Sequence, residues 1–184
     1  MNKKLFVFAA AVLLVIMSVS CAFAGDVALT SIGQSSDAMM VKIILKSLKI
    51  NPDYDALMKP AALTNQKVLI AVVGGSSKGL GAAGINKEDE AKRAEALCKA
   101  AEKKGIKILM MHVGGEGRRG TLSDMFIKGA VPYGNALILV DGGNKDGFFD
   151  PLVKAKKAKV YTAANVTATK APLQTVLAAW GATK

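Results

Sequence analysis

The run Lys67-Val68-Leu69-Ile70-Ala71-Val72-Val73 constrains the fold more than any other segment of this chain. Six consecutive apolar residues rich in β-branched side chains form a strand buried on both faces, because alternation with polar residues would be needed if one face met water. A strand covered on both sides belongs to the middle of a parallel sheet sandwiched between helices. The rest of the chain supplies the other parts of such a sandwich. Strands are expected over Val27–Ile32, Ile106–Val113, Ala136–Val140 and Lys159–Thr162, each followed by a polar or glycine-rich turn.

Between them lie helical periodicities. One runs from Ala38 to Leu48, with Met40, Ile43, Ile44 and Leu48 as its apolar face. Tyr54–Leu63 reads as a short helical or irregular link, and Gly74–Gly84 as a long glycine-rich loop. Asn86 caps the next helix. Glu88, Asp89 and Glu90 stand in its first turn, with Lys103 and Lys104 in its last before Gly105, an order that suits the helix dipole. Further helices are expected over Leu122–Lys128, Phe148–Ala155 and Pro172–Trp180. The predicted architecture is α/β: a three-layer, doubly wound, mainly parallel five-stranded sheet of flavodoxin-like or Rossmann-like type.

The amino terminus has a different character. Lys3 and Lys4 precede an apolar run from Leu5 to Val19 broken only by Ser18, and Ala22-Phe23-Ala24 offers a small-x-small cleavage pattern. Residues 1–24 are therefore read as a signal peptide cleaved after Ala24, and residues 25–184 as a single α/β domain, periplasmic or extracellular. The run is shorter than the roughly 20 residues that span hydrocarbon. Lipidation at Cys21 is the other outcome, although Ser18-Val19-Ser20 lacks the usual leucine three places before the cysteine. Cleavage would leave Cys98 alone, so no intramolecular disulfide is possible. Its helical stripe with Ala94, Leu97 and Ala101 makes it a small core residue.

Charge enters here. The chain carries a formal +11; removing Lys3 and Lys4 with the leader leaves 23 bases against 14 acids, or +9. An anionic envelope surface is a possible partner for such a domain. Nucleic acid is not expected, because few aromatics are interleaved with the lysines and no recognition motif is present.

In open parallel sheets ligands bind beyond the carboxyl ends of the strands, and the unusual residues of this chain fall at that edge. They are Gln34, Ser35 and Asp37 after the first strand, and Ser76, Ser77 and Lys78 after the second. Glu116, Arg118 and Arg119 follow the third, and Asn144, Lys145 and Asp146 the fourth. The cations would neutralise a small polar or anionic ligand and the acids orient them, one arginine meeting the ligand while the other pairs with Glu116.

Several motifs invite sharper readings and fail. Gly75-Ser76-Ser77-Lys78-Gly79-Leu80-Gly81 has the G-x-x-x-G-x-G spacing of short-chain dehydrogenases. However, it follows the second strand rather than the first, and neither Tyr133 nor Tyr161 has a lysine four residues on. Lys78 is followed by Gly79, so it is no P-loop. Asn144-Lys145-Asp146-Gly147 lacks the first and twelfth oxygen ligands of an EF-hand and reads as an Asx turn. His112 is the only histidine and falls on the core side of its strand. No metal site and no cofactor is predicted. An envelope hydrolase or transferase using Glu116, Asp146 or His112 as base is the alternative function, and a structural or interaction protein of the envelope is a third.

Across residues 27–180 the chain resembles a bacterial family of exported α/β proteins catalogued only as a domain of unknown function. The resemblance rests on Thr30-Ser31-Ile32-Gly33-Gln34-Ser35, Val73-Gly74-Gly75-Ser76-Ser77-Lys78-Gly79, Gly114-Gly115-Glu116-Gly117-Arg118-Arg119-Gly120 and Gly143-Asn144-Lys145-Asp146-Gly147. It implies the fold class and carries no activity.

Overall fold

A computed structural model describes residues 25–183; the expected leader and its cleavage site after Ala24 lie outside the described residues. Six strands form one sheet: β1 Val27–Ile32, β2 Asp53–Tyr54, β3 Val68–Val73, β4 Lys107–His112, β5 Ala136–Val140 and β6 Lys159–Ala163. Their order is β2-β1-β3-β4-β5-β6 and every pairing is parallel. The order through β5 is the flavodoxin-like one, in which the winding reverses between β1 and β3. Five strands are expected from the sequence. The sixth is β2, whose two residues are too few to show any period.

Helices cover both faces. On one lie α1 Asp37–Ser47 and α6 Lys170–Ala179, packed on Leu29, Ile70, Val72, Leu109, Met111 and Ile138. The other carries α2 Ser77–Ala82, α3 Lys87–Lys103, α4 Thr121–Ala130 and α5 Asp150–Lys154, resting on Leu69, Ala71, Val73, Ile108, Met110 and Leu137. Successive residues of β3 thus enter opposite cores, and all six are fully buried. That is the arrangement the unbroken apolar run demands.

Two expectations need correction. Gly74–Gly84 is not one long loop: Ser76 caps α2, its hydroxyl accepting from the Gly79 amide at 3.0 Å. Capping outweighs the low helix propensity of Gly79 and Gly81 over so short a span. α1 is also rotated from the predicted face. Ala38, Val41, Ile44 and Leu45 point inward, while Met39, Met40 and Ile43 are exposed. The helix is apolar on two stripes, and the one with smaller side chains at its start lets it approach β1 and β3 closely.

The amino-terminal cap of α3 follows the sequence reading, with Asn86 accepting from the Asp89 amide at 2.8 Å. Gly105 takes the left-handed conformation that ends the segment, φ 70°. Cys98 is fully buried, and burial pushes its thiol up to about 12, which makes it inert.

Candidate functional site

The four polar segments lie at the carboxyl edge and are bonded into one belt. The segments after β1 and β3 meet through main-chain bonds, Ser35 N to Gly74 O at 3.1 Å and Ser76 N to Gly33 O at 2.8 Å. Arg118, in the turn after β4, reaches back to Asp37 at the start of α1, with Nε and Nη2 at 3.1 and 3.3 Å from the carboxylate oxygens. The turns after β4 and β5 are joined by Lys145 donating to Glu116 at 2.6 Å, by Arg119 donating to Gly143 O at 2.6 Å, and by Arg119 donating to Asp146.

Arg119 is the knot of this belt. Its Nε and Nη2 donate to Asp124 at 2.7 and 3.2 Å, and its Nη1 and Nη2 to Asp146 at 3.1 Å each. The Phe148 ring lies 4.3 Å from the guanidinium carbon, a cation–π contact that covers the remaining face. Hydrogen bonds to the two aspartates raise its pKa further. All three nitrogens are spent, so Arg119 fastens the belt rather than offering itself to solvent. Sequence reading pairs one arginine with Glu116; the structure gives Glu116 to Lys145 instead. Asp124, which the sequence reading leaves out, is the stronger partner of Arg119 because the first turn of α4 holds it five residues away.

The other predicted residues divide clearly. Gln34 and Ser35 are buried. Gln34 sits at φ 60°, a left-handed conformation uncommon for a side-chain-bearing residue. Its amide donates to Ala56 O at 2.9 Å and Glu90 Oε1 at 3.0 Å, which holds that conformation in place. Ser77 and Lys78 are exposed on α2. Asn144 is spent within its own segment, donating to Asp150 and accepting from the Phe149 amide at 2.8 Å each. The Asx turn expected of this segment forms instead at Asp146, whose Oδ1 accepts from the Phe148 amide at 3.2 Å.

His112 is fully buried on the core side of β4, as the alternation predicts. Its Nδ1 lies 3.0 Å from Val73 O and its Nε2 3.2 Å from Gly115 O. A neutral ring donates to only one of these carbonyls at a time. Among the described residues no group of His, Cys, Asp and Glu is placed to hold a metal ion.

A cleft of about 310 Å³ opens between the β4 and β5 turns, lined by Glu116, Arg119, Asp124, Gly142, Lys145 and Asp146. Three acids against two bases leave it with a formal surplus of one negative charge. The hydrogen bond and charge of Lys145 lower the pKa of Glu116, and hydrogen bonds from Arg119 lower those of Asp124 and Asp146. Lowered folded-state values mean that these groups stabilise the fold above the unfolded carboxyl range, about 3.9 to 4.3. That contribution is lost as pH falls through the lowered values. Carbon-detected NMR titration is expected to place the carboxyl midpoints of all three below that range, with melting temperature declining over the same acid window. Ordinary midpoints would mean that the ion pairs do not persist in solution.

A family model described as Domain of unknown function (DUF6305) matches residues 24–177. The chain belongs to this family. All four loop motifs named from the sequence fall within the matched span, and they are the segments that build the belt. No curated protein and no solved structure matches the chain. Within the DUF6305 domain the described residues include no helix long and apolar enough to cross a membrane.

Proposed function

We propose that this protein is an exported binding module for a small polar ligand, seated on the carboxyl edge of its parallel sheet. The observation that carries this reading is the belt itself. Four segments far apart in sequence bring twelve polar residues to one edge, where hydrogen bonds tie the segments together and Glu116, Arg119, Lys145 and Asp146 border a charged cleft. The rule that open parallel sheets bind ligands at this edge supports it, and the leader expected over residues 1–24 supports a setting outside the cytoplasm.

Catalysis finds less support. His112 has both nitrogens against carbonyls and no exposed surface. Glu116 and Asp146 are held as carboxylates by Lys145 and Arg119, and neither stands beside a nucleophile. A scaffold held to an anionic envelope surface draws on a different feature. On α1, exposed Met39, Met40 and Ile43 lie near Lys42 and Lys46 in sequence, a mixture that suits lipid headgroups.

The test is amide NMR of ¹⁵N-labelled protein against a panel of small carboxylates, phosphates, amines and amino acids. Saturable shifts confined to residues 33–37, 74–78, 114–120 and 141–147 are expected. A panel that moves no amide at this edge, or acts only at the opposite one, would overturn the reading.

A further inference from the structure

We infer that Arg118, Asp37 and Ser35 form a receptor for a small oxyanion at the point where the sheet's winding reverses; this deepens the reading above and rests on it. The two adjacent arginines differ in what they have left to give. Arg119 spends all three nitrogens on protein acceptors and its side chain is 13 % exposed. Arg118 spends Nε and Nη2 on Asp37, while its Nη1 makes no hydrogen bond to any described residue and the side chain is 34 % exposed. The Asp37 side chain beneath it is only 7 % exposed. One edge of the guanidinium is thus fixed by a nearly buried carboxylate and another is open to solvent. Such a fork is pre-oriented for a planar or tetrahedral oxyanion.

The surroundings add donors and no free acceptor charge. Ser35 is 4 % exposed, and its hydroxyl is the one buried side-chain polar atom among the described residues without a hydrogen-bond partner. A buried polar group left unpaired is costly and calls for an explanation. This one borders the same space above Gly74 as the Arg118 stem. A Cβ placed on Gly74 would meet Arg118 Cγ at 3.0 Å, the Ser35 hydroxyl at 3.1 Å and Arg118 Cδ at 3.3 Å. The arginine stem therefore runs across the end of β3, with the unpaired hydroxyl close to the same glycine. α1 starts at the same place, and Ser36, at its cap position, makes no side-chain capping bond. The helix is 11 residues long, enough for its amino end to favour an anion. Asp37, the one acid in its first turn, is already engaged by Arg118. Arg118 and Asp37 balance in charge while Nη1 and the Ser35 hydroxyl remain unpaired, whereas the neighbouring cleft carries a surplus acid, so an oxyanion belongs at Arg118 and not between Glu116 and Asp146.

Carboxylate and phosphate share this chemistry, and the experiment separates them. Inorganic phosphate and acetate are titrated separately into ¹⁵N-labelled protein at fixed ionic strength, following the Arg118 Nε–H and the amides of residues 35–38. At least one anion is expected to give saturable shifts at these positions; whichever binds more tightly names the class. Arg118→Lys should weaken binding at least tenfold, because an ammonium cannot present two parallel donors. Ser35→Ala should weaken it several-fold while leaving the melting temperature unchanged or higher, since the hydroxyl satisfies nothing in the free protein. Shifts that grow linearly with both anions, or that persist equally in both variants, would overturn the assignment. If other compounds move the belt while phosphate and acetate leave Arg118 untouched, the oxyanion receptor falls and the broader binding reading stands. If nothing in either series moves the belt, both fall together.

Discussion

Replacing Glu90 by alanine is expected to lower stability by about 3–5 kcal/mol, the cost of breaking a buried ion pair from one side. The Glu90 side chain is fully buried and that of Arg93 nearly so. Glu90 Oε1 accepts from the Gly33 amide at 2.9 Å, Gln34 Nε2 at 3.0 Å and Arg93 Nη2 at 2.8 Å, and Oε2 accepts from Arg93 Nε at 2.7 Å. Arg93 in turn donates to Met58 O and Ser31 O. Alanine would leave the guanidinium charge uncompensated and the Gly33 amide unpaired in the core, and would take from Gln34 one of its two acceptors. For a domain of this size the loss amounts to a melting temperature lower by on the order of 10 °C. Replacing Glu90 and Arg93 together by leucine and methionine should recover much of it, because the desolvation of both charges is then removed. A double variant as unstable as Glu90→Ala would show that the pair's worth lies in the loop it holds rather than in the stranded charge.

Gly79→Ala is expected to be the most damaging of the small changes near the belt. Alanine favours a helix over glycine by roughly 1 kcal/mol. Here its Cβ would fall 1.9 Å from the main-chain oxygen of Gln34, so α2 or the β1 turn must move. Overpacking against backbone costs on the order of 3 kcal/mol and outweighs the propensity gain. Gly81 is the control, because a Cβ there meets nothing within 4 Å. Gly81→Ala should therefore stabilise the protein by up to about 1 kcal/mol. Thermal or urea unfolding of the two variants is expected to give shifts of opposite sign. Two shifts of the same sign would refute the close approach of α2 to Gln34.

These glycines explain why a dinucleotide spacing occurs in a sequence that departs from the dehydrogenase pattern. Gly79 is required by contact between a helix and the β1 turn, and that contact involves no cofactor. The sheet was legible because apolar runs such as Val68–Val73 and Ala136–Val140 admit one reading. The edge that carries the polar residues was legible too, since it follows from strand direction alone. Which cation meets which acid was not. Glu116, Asp124 and Asp146 all stand within a few residues of Arg119 or Lys145, and only the relative placement of the β4 and β5 turns with α4 decides between them. Glu90 was hidden differently: with Glu88 and Asp89 it reads as dipole complementation at a helix start, yet α3 turns it alone into the core. The rotation of α1 was unreadable for a similar reason, since Met40 and Val41 are both plausible core residues in isolation.

The two ends of the sheet are unequal, and this bears on self-association. An unpaired strand edge is a template on which another chain can add. On the β2 side the outermost strand is only two residues long, too short to nucleate such growth. The β6 side offers five residues, Lys159–Ala163, with Lys159, Val160 and Thr162 exposed. Any strand-to-strand polymerisation of the folded protein would have to begin there. Lys159 stands at the entry to that edge close behind exposed Lys157, where like charges on two approaching copies repel. Neutralising Lys157 and Lys159 should promote association of the folded protein through that single side.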